Sequence, residues 1–211
     1  MQRVLSAQLT AVPPASWRRD GTDHFGNAVT WLFLDTAHPA FEVTTEATVD
    51  VGFPDPPPPE TIPAWETVAA TVRSGGAGSW QAAEFVFDSP LAPADAEAAA
   101  YAAPSFSAGR PLLAALLELN LRIRRDFTFR PGVTTTTTTI HEVLARKQGV
   151  CQDFAHLMIS ALRGLGLPAR YVSGYIRTYA PPGGKRRLGA DQSHAWVGWW
   201  LGKQGGWIDL D

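Results

Sequence analysis

A proline-rich segment at residues 54–64 sets the strongest limit on how this chain can fold. Proline occupies position 54, positions 56–59 and position 63. Because proline lacks an amide hydrogen and has a fixed φ, such a run fits neither a helix interior nor a central strand. We therefore expect an extended linker over 54–64. It would separate an N-terminal β domain at 1–53 from a second domain at 65–211.

The hydrophobic pattern differs on the two sides of the prolines. Strands are expected at 4–11, 28–34 and 41–51, and the last of these alternates apolar with polar residues, which predicts one buried face. The other side favours helices at 111–123 and 140–146. These patterns predict an α+β fold that begins with an antiparallel β region.

From residue 149 onward, the pattern predicts one helix followed by an antiparallel sheet. Apolar residues recur at helical spacing from Phe154 to Leu165, and the sequence Gly166-Leu167-Pro168 is a typical helix stop. Strands are then expected at 169–176, 193–201 and 207–210. We expect the helix to pack on this sheet.

Composition excludes several classes of function. Lys and Arg total 18 and Asp and Glu total 20, so a net charge of −2 gives no reason to bind nucleic acid or an anionic membrane. There is no apolar run of about 18 residues for a membrane helix, and residues 1–10 do not resemble a signal peptide. We expect a cytoplasmic location. The single cysteine excludes a disulfide framework and a cysteine-rich zinc site.

That cysteine, Cys151, is the first candidate for chemistry, since it falls at the predicted start of a helix. Unpaired backbone N–H groups and the helix dipole favour a thiolate there, which is the form that attacks a carbonyl. The same N–H groups can receive the oxyanion. A lone cysteine is also commonly a small buried apolar residue, and position alone leaves both interpretations open.

His194 and a C-terminal aspartate complete the candidate constellation. A neutral imidazole beside the thiol can take its proton and later protonate the leaving amine, although a structural histidine at a strand edge is the alternative. If Leu201 pairs with Gly206, Asp211 becomes the diagonal neighbour of His194, and Asp209 lies about 7 Å further along. Asp211 is therefore preferred, with Asp209 in reserve.

These motifs resemble the transglutaminase-like superfamily, a branch of the papain-like cysteine enzymes. The segment GVCQDFAHLMISALRGLGLPARYVSGYI is similar to its nucleophile helix and following strand, SHAWVGWW to its histidine strand, and GWIDLD to its aspartate strand. Residues DHFGN and TAHPAFEVTTEATVDV resemble the N-terminal region of bacterial members. The resemblance implies Cys151 as nucleophile, His194 as base and Asp211 as orienting acid.

Four further residues are candidates for supporting roles. Asp153 matches a motif position, and we favour a role at the helix N-terminus over direct catalysis. Gln148 is a weaker candidate for an oxyanion donor. Trp196 and Trp207 either pack in the sheet core or line an acyl-donor cleft. Family members usually have a further N-terminal strand and continue past the aspartate, so we expect truncation of both domains.

The resemblance implies a thioester acyl-enzyme that acts on peptide or glutamine-type amide bonds of a peptide or protein substrate. Hydrolysis is expected over amine crosslinking, because the resemblance to bacterial members implies an amidase or peptidase and not a dedicated crosslinking enzyme. The alternative is a non-catalytic interaction module, which the six threonines at 134–139 and the basic loop at 185–187 would suit. The sequence does not define an oligomeric state.

No cofactor or metal is expected. The sequence has no glycine-rich phosphate loop. A metal site built from Cys151, His156 and His194 would need side chains on one face. His156 follows Cys151 by five residues, however, which places it about 140° away around a helix.

Overall fold

The computed structural model describes residues 2–52, 55–76, 78–176 and 192–211. The chain divides into two compact units, Met1–Asp55 and Pro56–Asp211, and the division falls within the proline-rich segment. Helices combine with antiparallel strands, which confirms the α+β class. The basic loop at 185–187 and the first linker residue, Pro54, lie outside the described residues.

The N-terminal unit consists of two antiparallel strand pairs. Strand β1 (Gln2–Val12) pairs with β4 (Glu42–Val51), and β2 (Trp17–Thr22) pairs with β3 (Ala28–Phe33). Strand β2 was not expected, because its sequence WRRDGT lacks apolar alternation. Residues 23–27 connect β2 to β3, and the Asp23 amide donates to the Asn27 carbonyl at 2.9 Å.

The burial predicted for β4 is wrong. The strand forms, but every residue from Glu42 to Val51 is exposed. The alternating sequence specifies that one face of the strand is apolar. That face is buried only if another helix or sheet packs on it. The β1–β4 pair is two-stranded and supplies no such layer of its own.

The C-terminal unit contains six helices and a three-stranded sheet among its described residues. The helices are α1 (Trp65–Arg73), α2 (Trp80–Ala83), α3 (Ala96–Ala102), α4 (Leu112–Asp126), α5 (Ile140–Arg146) and α6 (Cys151–Gly164). The sheet is antiparallel with the order β7 (Ala169–Ile176), β8 (Gln192–Trp200), β9 (Trp207–Leu210). A short parallel pair joins β5 (Thr128–Phe129) to β6 (Gln148–Gly149).

Helix α6 lies at the centre of the core. Its apolar stripe is buried, and α3, α5, β7 and β8 pack against it. Gly164 permits the close approach of α3, because a Cβ there would lie less than 3 Å from the carbonyl oxygen of Asp95 and the Cβ of Ala99. Each large apolar side chain buried in this way contributes about 1.5–3 kcal/mol. The position of Cys151 is thus fixed by a well-packed helix.

Residues 62–64 of the expected linker contact the C-terminal unit, and Ile62 is part of its core. Ile62 is buried, and the carbonyl of Pro63 accepts a hydrogen bond from the amide of Leu112 at 3.0 Å. Because Pro63 has no N–H of its own to satisfy, it suits a position where only the carbonyl is bonded. These contacts anchor the first residue of α4.

The threonine run also has structural roles that its low complexity concealed. The Thr139 hydroxyl accepts a hydrogen bond from the amide of Glu142, whose carboxylate accepts from the Thr139 amide at 2.9 Å. This reciprocal capping box begins α5. Within the described part of the chain, no helix is long and apolar enough to cross a membrane.

Candidate active site

Cys151 is the first residue of α6 and is half-buried. The first-turn N–H groups of a helix have no partners within the helix, and they carry the positive end of its dipole. The sequence predicts that a helix starts at Cys151, and the structure has the start of α6 at that residue. This position suits both a thiolate and an oxyanion that forms beside it.

Asp153 holds the start of α6 in place. Its Oδ2 accepts hydrogen bonds from the Val150 amide and from the Thr134 hydroxyl, each at 2.7 Å, and only 4% of the residue is exposed. The carboxylate thus bonds to an amide at the helix entrance and neutralises charge at the N-terminus. These contacts are those of a residue that caps the helix N-terminus, and a positioning role for Asp153 stays a prediction.

Gly149 is required next to this carboxylate. A Cβ at position 149 would lie 2.9 Å from both the Cβ and the Oδ2 of Asp153. Glycine therefore lets the backbone pass Asp153 closely enough to place Cys151 two residues later.

His194 and Asp211 lie close together on neighbouring strands. The Nε2 of His194 and the Oδ2 of Asp211 are 2.6 Å apart, which is a short charge-assisted hydrogen bond. The His194 side chain is 14% exposed and that of Asp211 is 65% exposed. Because Nε2 is bonded to the carboxylate, Nδ1 is the ring nitrogen left to serve the thiol.

The hairpin register is the expected one. The Leu201 amide donates to the Gly206 carbonyl at 2.8 Å, and Gly198 pairs with Asp209. Asp211 therefore lies on the diagonal from His194, as predicted. Asp209 instead lies beside Arg170, with 3.4 Å between its Oδ1 and the guanidinium Nη2.

One cavity of about 460 Å³ contains Cys151, His194 and Asp211 in its wall. Helix α6 also contributes Phe154 and Met158, which make the wall beside the sulfur apolar. Another part of the wall comes from α4, which sequence reasoning did not connect with the site. Asn120 of α4 donates from Nδ2 to the backbone carbonyl of Asp211 at 3.0 Å.

Trp196 lines this cavity, whereas Trp207 and Gln148 are placed elsewhere. The Trp207 ring packs against Phe85, with the Arg170 guanidinium 4.5 Å from the ring centre. Gln148 lies in β6 and pairs with Thr128. Neither is part of the wall that holds Cys151.

Trp196 supports the imidazole, and Gly174 makes room for Trp196. The rings of His194 and Trp196 stack with centroids 5.9 Å apart and planes at 29°. Gly174 pairs with His194 across the sheet, and a Cβ there would fall within 3 Å of the Trp196 ring. A side chain at position 174 would therefore push the indole away from its place on His194.

We expect Gly174→Ala to reduce turnover more than it reduces stability. The new methyl group displaces Trp196 and tilts the His194 ring, and a misplacement of about 1 Å can cost about 10²-fold in rate. Measured kcat and melting temperature would test this result. Gly205→Ala, a crowded glycine away from the site, is the matched control. Equal kcat in wild type and Gly174→Ala would contradict this role for Trp196.

His156 lies in a second cavity of about 280 Å³, with Tyr171 and Arg163, and not with Cys151. The rings of His156 and Tyr171 are 5.1 Å apart. Burial lowers the pKa of His156. The negative charge of Asp153 raises this pKa by a smaller amount, and the positive charge of Arg163 lowers it further. Burial, with the negative charges of Cys151 and Asp153, raises the pKa of Tyr171.

This lowered pKa predicts a loss of stability in acid. Between the folded-state pKa of His156 and its ordinary value of 6.5, the unfolded chain binds more protons, so the free energy of unfolding falls as the pH drops below about 6.5. Chemical unfolding from pH 4.5 to 7.5 would test this, with a shallower slope expected for His156→Gln. His141→Gln is the control, because Glu97 raises the pKa of His141 and gives the opposite sign. An unchanged slope in His156→Gln would contradict the assignment.

The fold matches that of a solved structure from Cytophaga hutchinsonii described as a candidate cysteine protease. The TM-score is 0.67 with 23% sequence identity, covering 100% of this chain and 65% of that one. This chain thus spans about two thirds of the length of that protein.

The family is defined by sequence. Residues 99–211 match the model of the transglutaminase-like superfamily, and residues 1–50 match that of the bacterial transglutaminase-like N-terminal region. The chain belongs to the transglutaminase-like superfamily. An uncharacterised protein of Mycobacterium tuberculosis is 41% identical over 100% of this chain and 68% of its own length. A protein-glutamine gamma-glutamyltransferase of Pseudomonas aeruginosa is 33% identical over 47% of this chain and 15% of its own length.

Proposed function

We propose that this chain is a cysteine enzyme that cleaves glutamine-type or peptide amide bonds through a thioester. The observation that carries the proposal is the shared cavity of Cys151 with the hydrogen-bonded pair His194–Asp211. The Sγ of Cys151 attacks the amide carbonyl carbon, and a tetrahedral oxyanion forms beside the first-turn N–H groups of α6.

His194 moves the protons of this reaction. Nδ1 takes the thiol proton and delivers it to the leaving nitrogen, so that ammonia or an amine departs and a thioester remains. Asp211, bonded to Nε2, fixes the tautomer and stabilises the imidazolium. Asp209 is a less suitable partner, because its carboxylate lies beside Arg170.

Hydrolysis is the outcome that we favour for the thioester. Leu121 and Phe129 of the cavity wall are 66% and 60% exposed, so bulk water reaches the cavity. Water then adds to the thioester carbonyl, His194 accepts its proton, and the carboxylic acid leaves as the Cys151 sulfur is released. A primary amine in place of water would give the crosslinked product.

A panel of glutamine-containing peptides, with and without an added primary amine, tests this function. The proposal expects ammonia release and a glutamate product in wild type, with little amine incorporation, and neither product in Cys151→Ala. Predominant amine incorporation would identify a crosslinking enzyme. If the wild-type chain is folded but none of the peptides acylates Cys151, the result would favour the non-catalytic interaction module. The cytoplasmic location stays a prediction that cell fractionation would test.

A further inference from the structure

The α4 wall of the cavity carries a cation that has no counter-ion within the described residues. Arg124 lines the same cavity as Cys151, His194 and Asp211, and its side chain is exposed. The described residues provide it with neither a hydrogen bond nor an ion pair. A guanidinium without a bonded partner among the described residues therefore lines the cavity that contains the candidate nucleophile, where a ligand can reach it.

The neighbouring arginines of α4 are engaged. Arg122 donates to the Ser105 hydroxyl at 3.1 Å and lies over the Tyr101 ring. The Arg125 Nε donates to Asp126 at 2.8 Å. Arg124 thus differs from its neighbours in facing the cavity and in lacking a partner there.

The acidic side chain of the same cavity wall is already engaged by another residue. Asp211 is the acidic side chain in the wall, and its carboxylate is bonded to the His194 ring. Transfer of the proton from the Cys151 thiol to the His194 imidazole leaves the net charge of these two side chains at zero. The formal charges of Arg124 and Asp211 balance, so the cavity as a whole is not cationic, but Arg124 presents its charge with no bonded partner among the described residues and can attract an anionic group locally.

Apolar groups lie next to the guanidinium. Leu121 is one helical turn from Arg124, so the two side chains are neighbours on the surface of α4. Leu121 and Phe129 are both largely exposed at the cavity wall. This wall therefore presents a cation beside two uncovered apolar side chains.

We propose that Arg124 is a specificity-determining residue that binds a carboxylate of the substrate near the reacting carbonyl, with an apolar substrate group on Leu121 and Phe129. The substrate class is an acidic peptide or amide. The planar guanidinium can bind a carboxylate through two parallel hydrogen bonds, which fixes its orientation as well as its charge. This inference rests on the proposed function for the reaction, but the binding preference can be measured without turnover.

The single cysteine makes that measurement direct. Iodoacetate and iodoacetamide both form a thioether at the sulfur and release iodide, but only iodoacetate is an anion. The ratio of their alkylation rates at Cys151, followed by intact-protein mass spectrometry, reports the attraction of the cavity for a carboxylate. Arg124→Gln and Arg124→Glu are compared with Arg125→Gln, which removes an arginine already paired with Asp126.

We expect the iodoacetate-to-iodoacetamide ratio to fall at least about tenfold in Arg124→Glu, to fall less in Arg124→Gln, and to remain at the wild-type value in Arg125→Gln. The differences should shrink in 1 M salt. An unchanged ratio in Arg124→Glu would overturn the inference. So would an equal slowing of both reagents, because it would mean that Arg124 acts on the thiol and not on the anion.

Peptides then connect the preference to the reaction. The residue before the reacting glutamine is set to Glu, Gln or Lys, and we expect kcat/KM to follow that order in wild type and to reverse in Arg124→Glu. Turnover with no charge preference would refute the role of Arg124 and leave the proposed function intact. An alkylation ratio that depends on Arg124, without turnover of any peptide, would support the binding role of Arg124 and refute the proposed function.

Discussion

The variants Cys151→Ala and His194→Ala are each expected to lose amide turnover by about 10⁴-fold or more, and the double variant should lose little beyond that. Nucleophile and base act as a unit in thioester chemistry, so removing either one removes nearly the whole covalent pathway. Both side chains lie in one cavity, and His194 is held by Asp211. Ammonia release from glutamine peptides gives the rates.

The control for this prediction is a variant of the same helix outside the site. Ile159→Val trims a buried residue on α6 and should cost about 0.5–1.5 kcal/mol of stability with little change in kcat. If the loss of turnover in the double variant equals the product of the two single losses, Cys151 and His194 act independently, and this result would contradict the prediction.

Replacing Asp153 with alanine is expected to cost about 2–4 kcal/mol of unfolding free energy, the largest stability effect that we predict. The change leaves the Val150 amide and the Thr134 hydroxyl without their acceptor in a nearly buried place. Charge-assisted hydrogen bonds contribute about 1.5–3 kcal/mol each, and an orphaned buried donor adds its own penalty. Chemical denaturation, monitored by tryptophan fluorescence, measures the difference.

Thr134→Val separates the two hydrogen bonds of Asp153. It removes one donor and keeps the volume, so we expect a loss of about 1.5–2 kcal/mol, below that of Asp153→Ala. Asp153→Ala should also slow the alkylation of Cys151, since the start of α6 is no longer held. A fully stable Asp153→Ala protein would contradict the role given to this carboxylate.

Local patterns were sufficient to predict the elements that carry the candidate residues. The course of α6 follows from apolar spacing, and its end follows from the Gly166-Leu167-Pro168 stop. The place of Asp211 follows from one assumed pair, Leu201 with Gly206, because side chains alternate strictly along a strand. Short-range geometry is enough in such cases, since the residues involved are joined by a helix or a hairpin.

What the sequence did not reveal depends on contacts between distant segments. Thr134 bonds to Asp153 across 19 positions, and nothing in a threonine run distinguishes that hydroxyl from its neighbours. The buried residues of α4 identify its core face, but they do not show that Asn120 and Arg124 face the nucleophile. The exposure of β4 has the same cause, because alternation defines a face and not its cover.

The central claim, an activated thiol at Cys151 served by the imidazole of His194, is tested most directly by the alkylation of the single cysteine. Iodoacetamide is added at pH 6 to native wild type, to native His194→Ala and to the wild-type chain unfolded in urea, and thioether formation is followed by mass. We predict that native wild type reacts fastest, by at least about tenfold over the unfolded chain, and that His194→Ala loses most of this advantage. A native thiol no faster than the unfolded one, with no response to the loss of His194, would contradict the account.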